Sequence, residues 1–136
     1  MAVEIDGSYT GSLKMELTHG PSGTVIRTAA PKDNNGDGSS YSPTDLLAAA
    51  LGSCAVTTMA IVAQREGIPF GEARFHVEKH MESDPRRVAD LPLTIAMPQG
   101  LDAAQRARLE GIARGCPVAR SLGKDVRKEM TFVYEE

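Results

Sequence analysis

Ser42-Pro43-Thr44-Asp45-Leu46-Leu47-Ala48-Ala49-Ala50-Leu51-Gly52-Ser53-Cys54 is the stretch on which the fold turns. Ser42 is a candidate N-cap, and Pro43 suits the first helical position, where a missing N–H does no harm. Asp45, three residues after the cap, completes a variant capping box. The helix is expected to run to about Glu66, stopped by Gly67 and followed by Pro69. From Leu46 to Ala63 almost every face is apolar or small, which predicts a helix buried on all sides. A chain of 136 residues can hardly surround such a helix alone, so a second subunit is expected to supply one wall.

Working outward, Val3 to Ile5 and Ser8 to Leu17 read as strands, the second alternating Leu13, Met15 and Leu17 against Lys14 and Glu16. His19 to Gly23 makes a turn, and Thr24 to Thr28 a further strand, giving an antiparallel meander. Pro31 to Ser40 is polar and has no hydrophobic period. Beyond the long helix, Ala73 to Met81 and Val88 to Met97 read as two strands joined by a turn at Asp84-Pro85. Asp102 to Arg114 is an amphipathic helix ended by Gly115; Cys116-Pro117 opens a short helix to Leu122, and Val126 to Tyr134 is the last strand. Nothing divides the chain, so residues 1–136 are read as one α+β domain with segregated layers.

Composition narrows the function. The net charge is -3 and no basic run appears, which argues against nucleic acid as a partner. The N-terminus, MAVEIDGSYTG, lacks the charged and apolar regions of a secretory signal, so a cytoplasmic protein is expected. The apolar stretch Leu46 to Ala63 is Ala-rich and broken by Gly52, Ser53, Thr57 and Thr58, so no membrane span is expected. Two cysteines in such a protein are either inert reduced thiols or working ones, not a disulfide framework.

The two differ in setting. Cys116 precedes Pro117 at a helix N-terminus, where partial positive charge favours the reactive thiolate. Cys54 lies mid-helix in apolar surroundings, where burial would quiet it unless a cation or helix end is brought close. Simple space-filling by free cysteines is the competing reading, and the spacing alone does not decide.

The helix start ending in Cys54 resembles the N-P-E-x-L…C motif of the osmotically inducible and organic-hydroperoxide-resistance proteins, the OsmC/Ohr family. Cys116-Pro117-Val118-Ala119-Arg120-Ser121-Leu122 resembles the family's second-cysteine motif, and the similarity covers nearly the whole chain. The match is nearest to the OsmC-like branch. The resemblance implies an intertwined homodimer, with antiparallel sheets packed around long central helices and active sites at the subunit interface. It implies a cysteine peroxidase acting on small organic hydroperoxides, in which Cys54 becomes a sulfenic acid and Cys116 resolves it as a disulfide. An external dithiol, in the family often a lipoylated protein, then reduces the disulfide; no metal or other cofactor is required.

Two positions depart from the family. Where the family has an Arg that activates the thiolate, this chain has Lys14, which carries charge but not the planar fork. The family's Glu aligns with Thr44, and the acidic Asp45 is displaced by one residue, about 100° around a helix. Thr44 also lies about 15 Å along the helix axis from Cys54, so a group there reaches the thiol only through chain packing or from a partner subunit. Arg27 and Arg120 are alternative cations.

Other candidates are weaker. Asp33-Asn34-Asn35-Gly36-Asp37-Gly38 opens like a calcium loop, but Thr44 stands where the bidentate Glu belongs. His76 and His80 share a strand face with Glu78 and Glu82, roughly 13 Å apart, which suits a wet outer face better than zinc. The leading expectation is thus a thiol peroxidase. Its rivals are a dimer that binds a small ligand without chemistry, and a thiol enzyme acting on another electrophile.

Overall fold

The computed structural model describes residues 1–135 as an α+β fold. The chain forms two compact units, Met1–Leu47 and the part from Ala48 onward.

In the first unit, β1 (Ile5–Gly11), β2 (Lys14–His19) and β3 (Val25–Ala29) form the expected antiparallel meander. Tyr9 faces Met15 and Leu17 faces Ile26. The single strand expected over Ser8 to Leu17 is instead a hairpin. The chain reverses at Ser12 and Leu13, with φ of 56° and 61°. Both torsions match the two-residue turn whose twist suits paired strands, but neither residue is the usual Asn or Gly. The reversal is therefore invisible in the residue types. The strand expected at Val3 begins only at Ile5, and the polar loop after β3 contains a 3-10 turn at Lys32–Asn34.

α1 (Pro43–Glu66) has the bounds its capping residues predict. The Ser42 N–H donates to Asp45 Oδ2 at 2.9 Å, and the Asp45 N–H donates to Ser42 Oγ at 3.1 Å. That is a reciprocal box, with Asp in the place of Glu. Gly67, at φ +68°, ends the helix. The expectation of burial on all sides does not hold within one chain. Ala48, Leu51, Gly52, Ala55, Met59, Val62 and Ala63 form one buried stripe at helical spacing, while Ser53, Thr57 and Ile61 are exposed.

In the second unit β4 (Arg74–Val77), β7 (Leu93–Ala96) and β8 (Met130–Val133) form one sheet, and β5 (His80–Glu82) with β6 (Arg87–Asp90) a two-stranded ribbon. Each of the two long strands expected here is thus broken. The chain leaves β4 at Glu78, whose N–H bonds to Pro92 O at 3.1 Å, and Pro92, which has no N–H, separates β6 from β7. β7 and β8 run parallel, the remaining pairs antiparallel. The final strand is shorter than the expected Val126 to Tyr134.

α2 (Ala103–Arg114) starts in a full capping box between Asp102 and Gln105, and α3 (Pro117–Ser121) follows after Gly115 and Cys116. Leu51, Met59, Leu91, Leu93, Ile95 and Leu109 are fully buried. Each such side chain contributes about 1.5–3 kcal/mol relative to exposure. Arg108 ties the two longer helices with a forked pair to Glu66, Nη2 to Oε2 at 2.6 Å and Nε to Oε1 at 3.2 Å.

A two-cysteine candidate active site

Cys54 sits midway along α1, brought there by the cap that sets the helix start and by glycine two residues earlier. A Cβ on Gly52 would lie 2.3 Å from two ring carbons of Phe75. Glycine therefore lets β4 approach this turn of the helix directly. Cys116 is the N-cap of α3, with extended torsions of φ -64° and ψ 157°.

The structure seats Cys54 against the first turn of α3, the helix that Cys116 caps, so that the two thiols are neighbours. Cys116 is fully buried, while Cys54 is half-buried. The Val118 N–H donates to Cys54 Sγ at 3.5 Å, and Thr58 Oγ1 lies 3.8 Å from the same sulfur. Burial pushes the Cys116 thiol above its ordinary value, and the neighbouring Cys54 adds to the rise; the N–H groups of Ala119 and Val118 oppose it. Against the expectation from its place at a helix N-terminus, burial therefore holds Cys116 as a neutral thiol, and Cys54 is the sulfur more open to a reagent. Val118 is a site residue that sequence reasoning missed. It acts through its backbone, which no residue type announces.

Of the remaining candidates, Lys14, Arg27, Thr44 and Asp45 lie in the first unit and Arg120 in the second. Lys14 Nζ makes an ion pair with Asp37 Oδ2 at 2.9 Å. Lys14 and the Ser39 N–H hold the Asp37 carboxyl well below the usual carboxylate range. That pairing also gives the calcium-like loop another occupation for its Asp37. Thr44 Oγ1 lies 3.3 Å from Ser42 Oγ, and Asp45 is a partner in the helix cap. Arg27 pairs with Glu16 at 3.2 Å, and Arg120 Nε donates to Gly115 O at 2.6 Å.

The two histidines require a correction. They do not stand apart on one strand face, because the chain breaks between β4 and β5. His76 Nε2 and His80 Nε2 both turn to the Glu78 carboxylate, at 3.7 and 3.0 Å. Among the described residues no group of three His, Cys, Asp or Glu side chains is arranged to hold a metal ion.

Comparison with known proteins bears on this geometry. Residues 36–130 match the model of the OsmC-like protein family, a span that includes both cysteines. Among solved structures, the chain is similar to a Psychrobacter arcticus protein assigned provisionally to osmotic stress induction and the detoxification response. The two share 36% identity and a TM-score of 0.90, over 95% of this chain and 94% of that one. An organic hydroperoxide resistance protein OsmC from Legionella pneumophila shares the fold at TM-score 0.78 and 17% identity, covering 97% of this chain and 96% of that one. An organic hydroperoxide resistance protein from Elizabethkingia anophelis does so at 0.77 and 17%, covering 99% and 97%. No curated protein matches this chain in sequence. With its helix-borne cysteine, its Cys-Pro corner and its α+β architecture, this chain belongs to the OsmC-like protein family.

Proposed function

We propose that this protein is a thiol-dependent peroxidase that reduces small organic hydroperoxides in the cytoplasm as a homodimer. The observation that carries the proposal is the approach of Cys54 to Cys116, one accessible and one buried, with the Val118 N–H directed at the first. The substrate class follows the two relatives named for organic hydroperoxide resistance.

In this reading the Cys54 thiolate attacks the outer peroxide oxygen. The S–O bond forms, the O–O bond breaks, and the alkoxide leaves to take a proton as the alcohol. The Cys116 thiol then attacks the sulfenic sulfur. The S–S bond forms, the S–O bond breaks, and the thiol proton leaves with the hydroxyl as water. An external dithiol returns two electrons and restores both thiols. Hydrogen-bond donation from Val118 stabilises charge on Cys54. Lys14 enters as the proposed cation for that thiolate, with Thr44 and Asp45 supporting the helix start; this requires the Lys14–Asp37 pair to open or to be shared.

Homodimerisation is supported by what one chain leaves uncovered. By length and composition α1 is apolar enough to cross a membrane, yet only 33% of its most apolar window is buried. In the first unit Ile5, Leu17, Ile26 and Leu46 line an apolar hollow of about 450 Å³, with Tyr9 and Tyr41 also exposed. A second copy is the proposed cover for these surfaces.

The test is thiol counting on reduced protein treated with cumene hydroperoxide or hydrogen peroxide, repeated on Cys54→Ser and Cys116→Ser. Rapid loss of both thiols, faster with the organic peroxide and abolished by Cys54→Ser, supports the reading. Loss no faster than that of an ordinary free thiol refutes it.

A further inference from the structure

The corner that carries Cys116 is tied by one side chain. α2 closes there, the Gly115 N–H bonding to Gly111 O and Ile112 O at 3.3 and 3.2 Å, and the Cys116 N–H to Ala113 O at 3.2 Å. α3 begins with the Arg120 N–H donating to Cys116 O at 3.0 Å. The Gly115 carbonyl lies one residue outside that helix, and Arg120 Nε folds back to donate to it at 2.6 Å. The guanidinium lies over the Gly115 Cα as well. A Cβ there would stand 3.1 Å from Arg120 Nη2 and 3.5 Å from Nε. Gly115, at φ -105°, needs no glycine for its torsions. Its lack of a side chain instead makes room for the arginine.

We infer that Arg120 is a positioning residue for the second chemical step, clamping Gly115 so that the corner keeps Cys116 beside the turn on which Cys54 rests. The inference rests on the two-cysteine reading above. Attack of a buried thiol on a sulfenic sulfur needs a narrow range of S–S geometry. Cys116 has few ways to seek it, being fully buried, so the corner must deliver it. The charged donor on the preceding carbonyl fixes that corner more strongly than a neutral one would. The first step engages Cys54 alone and does not depend on the clamp.

The test uses the full reduced chain with cumene hydroperoxide, following Cys54 oxidation by rapid mixing and sulfenic acid by trapping with dimedone and mass spectrometry. Arg120→Gln is expected to leave Cys54 oxidation within about twofold of the unaltered chain while slowing disulfide formation about tenfold or more, so that trapped sulfenic acid accumulates. Arg120→Lys, which retains a charged donor, is expected to restore part of the rate. Gly115→Ala crowds the guanidinium and should reproduce the defect; combined with Arg120→Gln it should add little to it, because both remove one contact. Disulfide formation at the unaltered rate in Arg120→Gln overturns the inference, as does equal slowing of both steps with a lowered melting temperature. If the unaltered chain oxidises Cys54 without ever joining it to Cys116, the two-cysteine reading itself fails and takes the clamp with it.

Discussion

Val118 donates its backbone N–H to Cys54 Sγ across 3.5 Å, joining the first turn of α3 to the middle of α1. In α3 the residue at this position contributes its carbonyl to the helix, through Leu122, but its N–H lies in the unladdered first turn. Val118→Pro therefore removes the donor with little cost to the helix. A hydrogen bond to a charged acceptor contributes about 1.5–3 kcal/mol. Half exposure and the long contact to sulfur favour the lower end, so the rate of Cys54 alkylation by iodoacetamide should fall about tenfold. Melting temperature should stay nearly unchanged, and an unaltered alkylation rate would show that the bond does not serve reactivity.

Gly52 marks a close approach rather than a flexible point. Gly52→Ala places a methyl group against Phe75, whose ring must move. Overpacking of this kind costs about 1–3 kcal/mol, and the gain in helix propensity returns about 1. A net loss of about 1 kcal/mol is expected in urea denaturation, and Gly52→Ala combined with Phe75→Leu should recover much of it.

Alkaline pH should weaken the reduced protein through Cys116. Burial, with help from Cys54, raises this thiol above its ordinary value of 9.0. The unfolded chain then loses its proton first, so the folded state binds more protons in the interval between the two values. The stabilising contribution is complete below pH 9 and declines as pH rises from there through the folded value. Thermal melting between pH 7.5 and 10 should show this fall, and Cys116→Ala should flatten it. Tyr134, raised by burial and by its bond to Glu110, acts in the same direction at higher pH; Tyr134→Phe separates the two.

The β1–β2 turn should accept improvement. Leu13 holds a left-handed torsion that costs a branched side chain about 1–2 kcal/mol. Leu13→Gly relieves it at an exposed position, with some loss to the entropy of the unfolded chain. A gain of about 0.5–1 kcal/mol is expected, read as a higher denaturation midpoint at constant slope.

The long helix was legible to the residue because its ends are written in chemistry: Ser42, Pro43 and Asp45 at one, Gly67 at the other. The second helix was legible from its amphipathic spacing and from Gly115 at its end, whereas the Asp102–Gln105 box that starts it was not read. The reversal at Ser12–Leu13 was hidden because apolar alternation continues straight through it, and only tertiary pairing forces the turn. Likewise the break after Val77 was not read, although the sharing of Glu78 by His76 and His80 suits their alternate spacing on either side of it. For the site, the sequence offered Cys54 and Cys116 by resemblance but no distance between them. Val118 was out of reach of any such reading, since any residue but proline has the same N–H. Arg120 appeared only as a spare cation, because the carbonyl it holds lies on a corner that exists only once α2 and α3 are both formed.

β8 lies parallel to β7, and a parallel partner cannot be reached by a tight turn. The chain between Ala96 and Met130 must make a crossover, and that crossover holds α2, the Gly115 corner and Cys116. The second sulfur is thus strung on a bridge whose two ends are anchored in neighbouring strands of one sheet, at opposite ends of their ladder. While the chain is being synthesised, Cys54 emerges first and has no companion until the crossover that carries Cys116 has followed it.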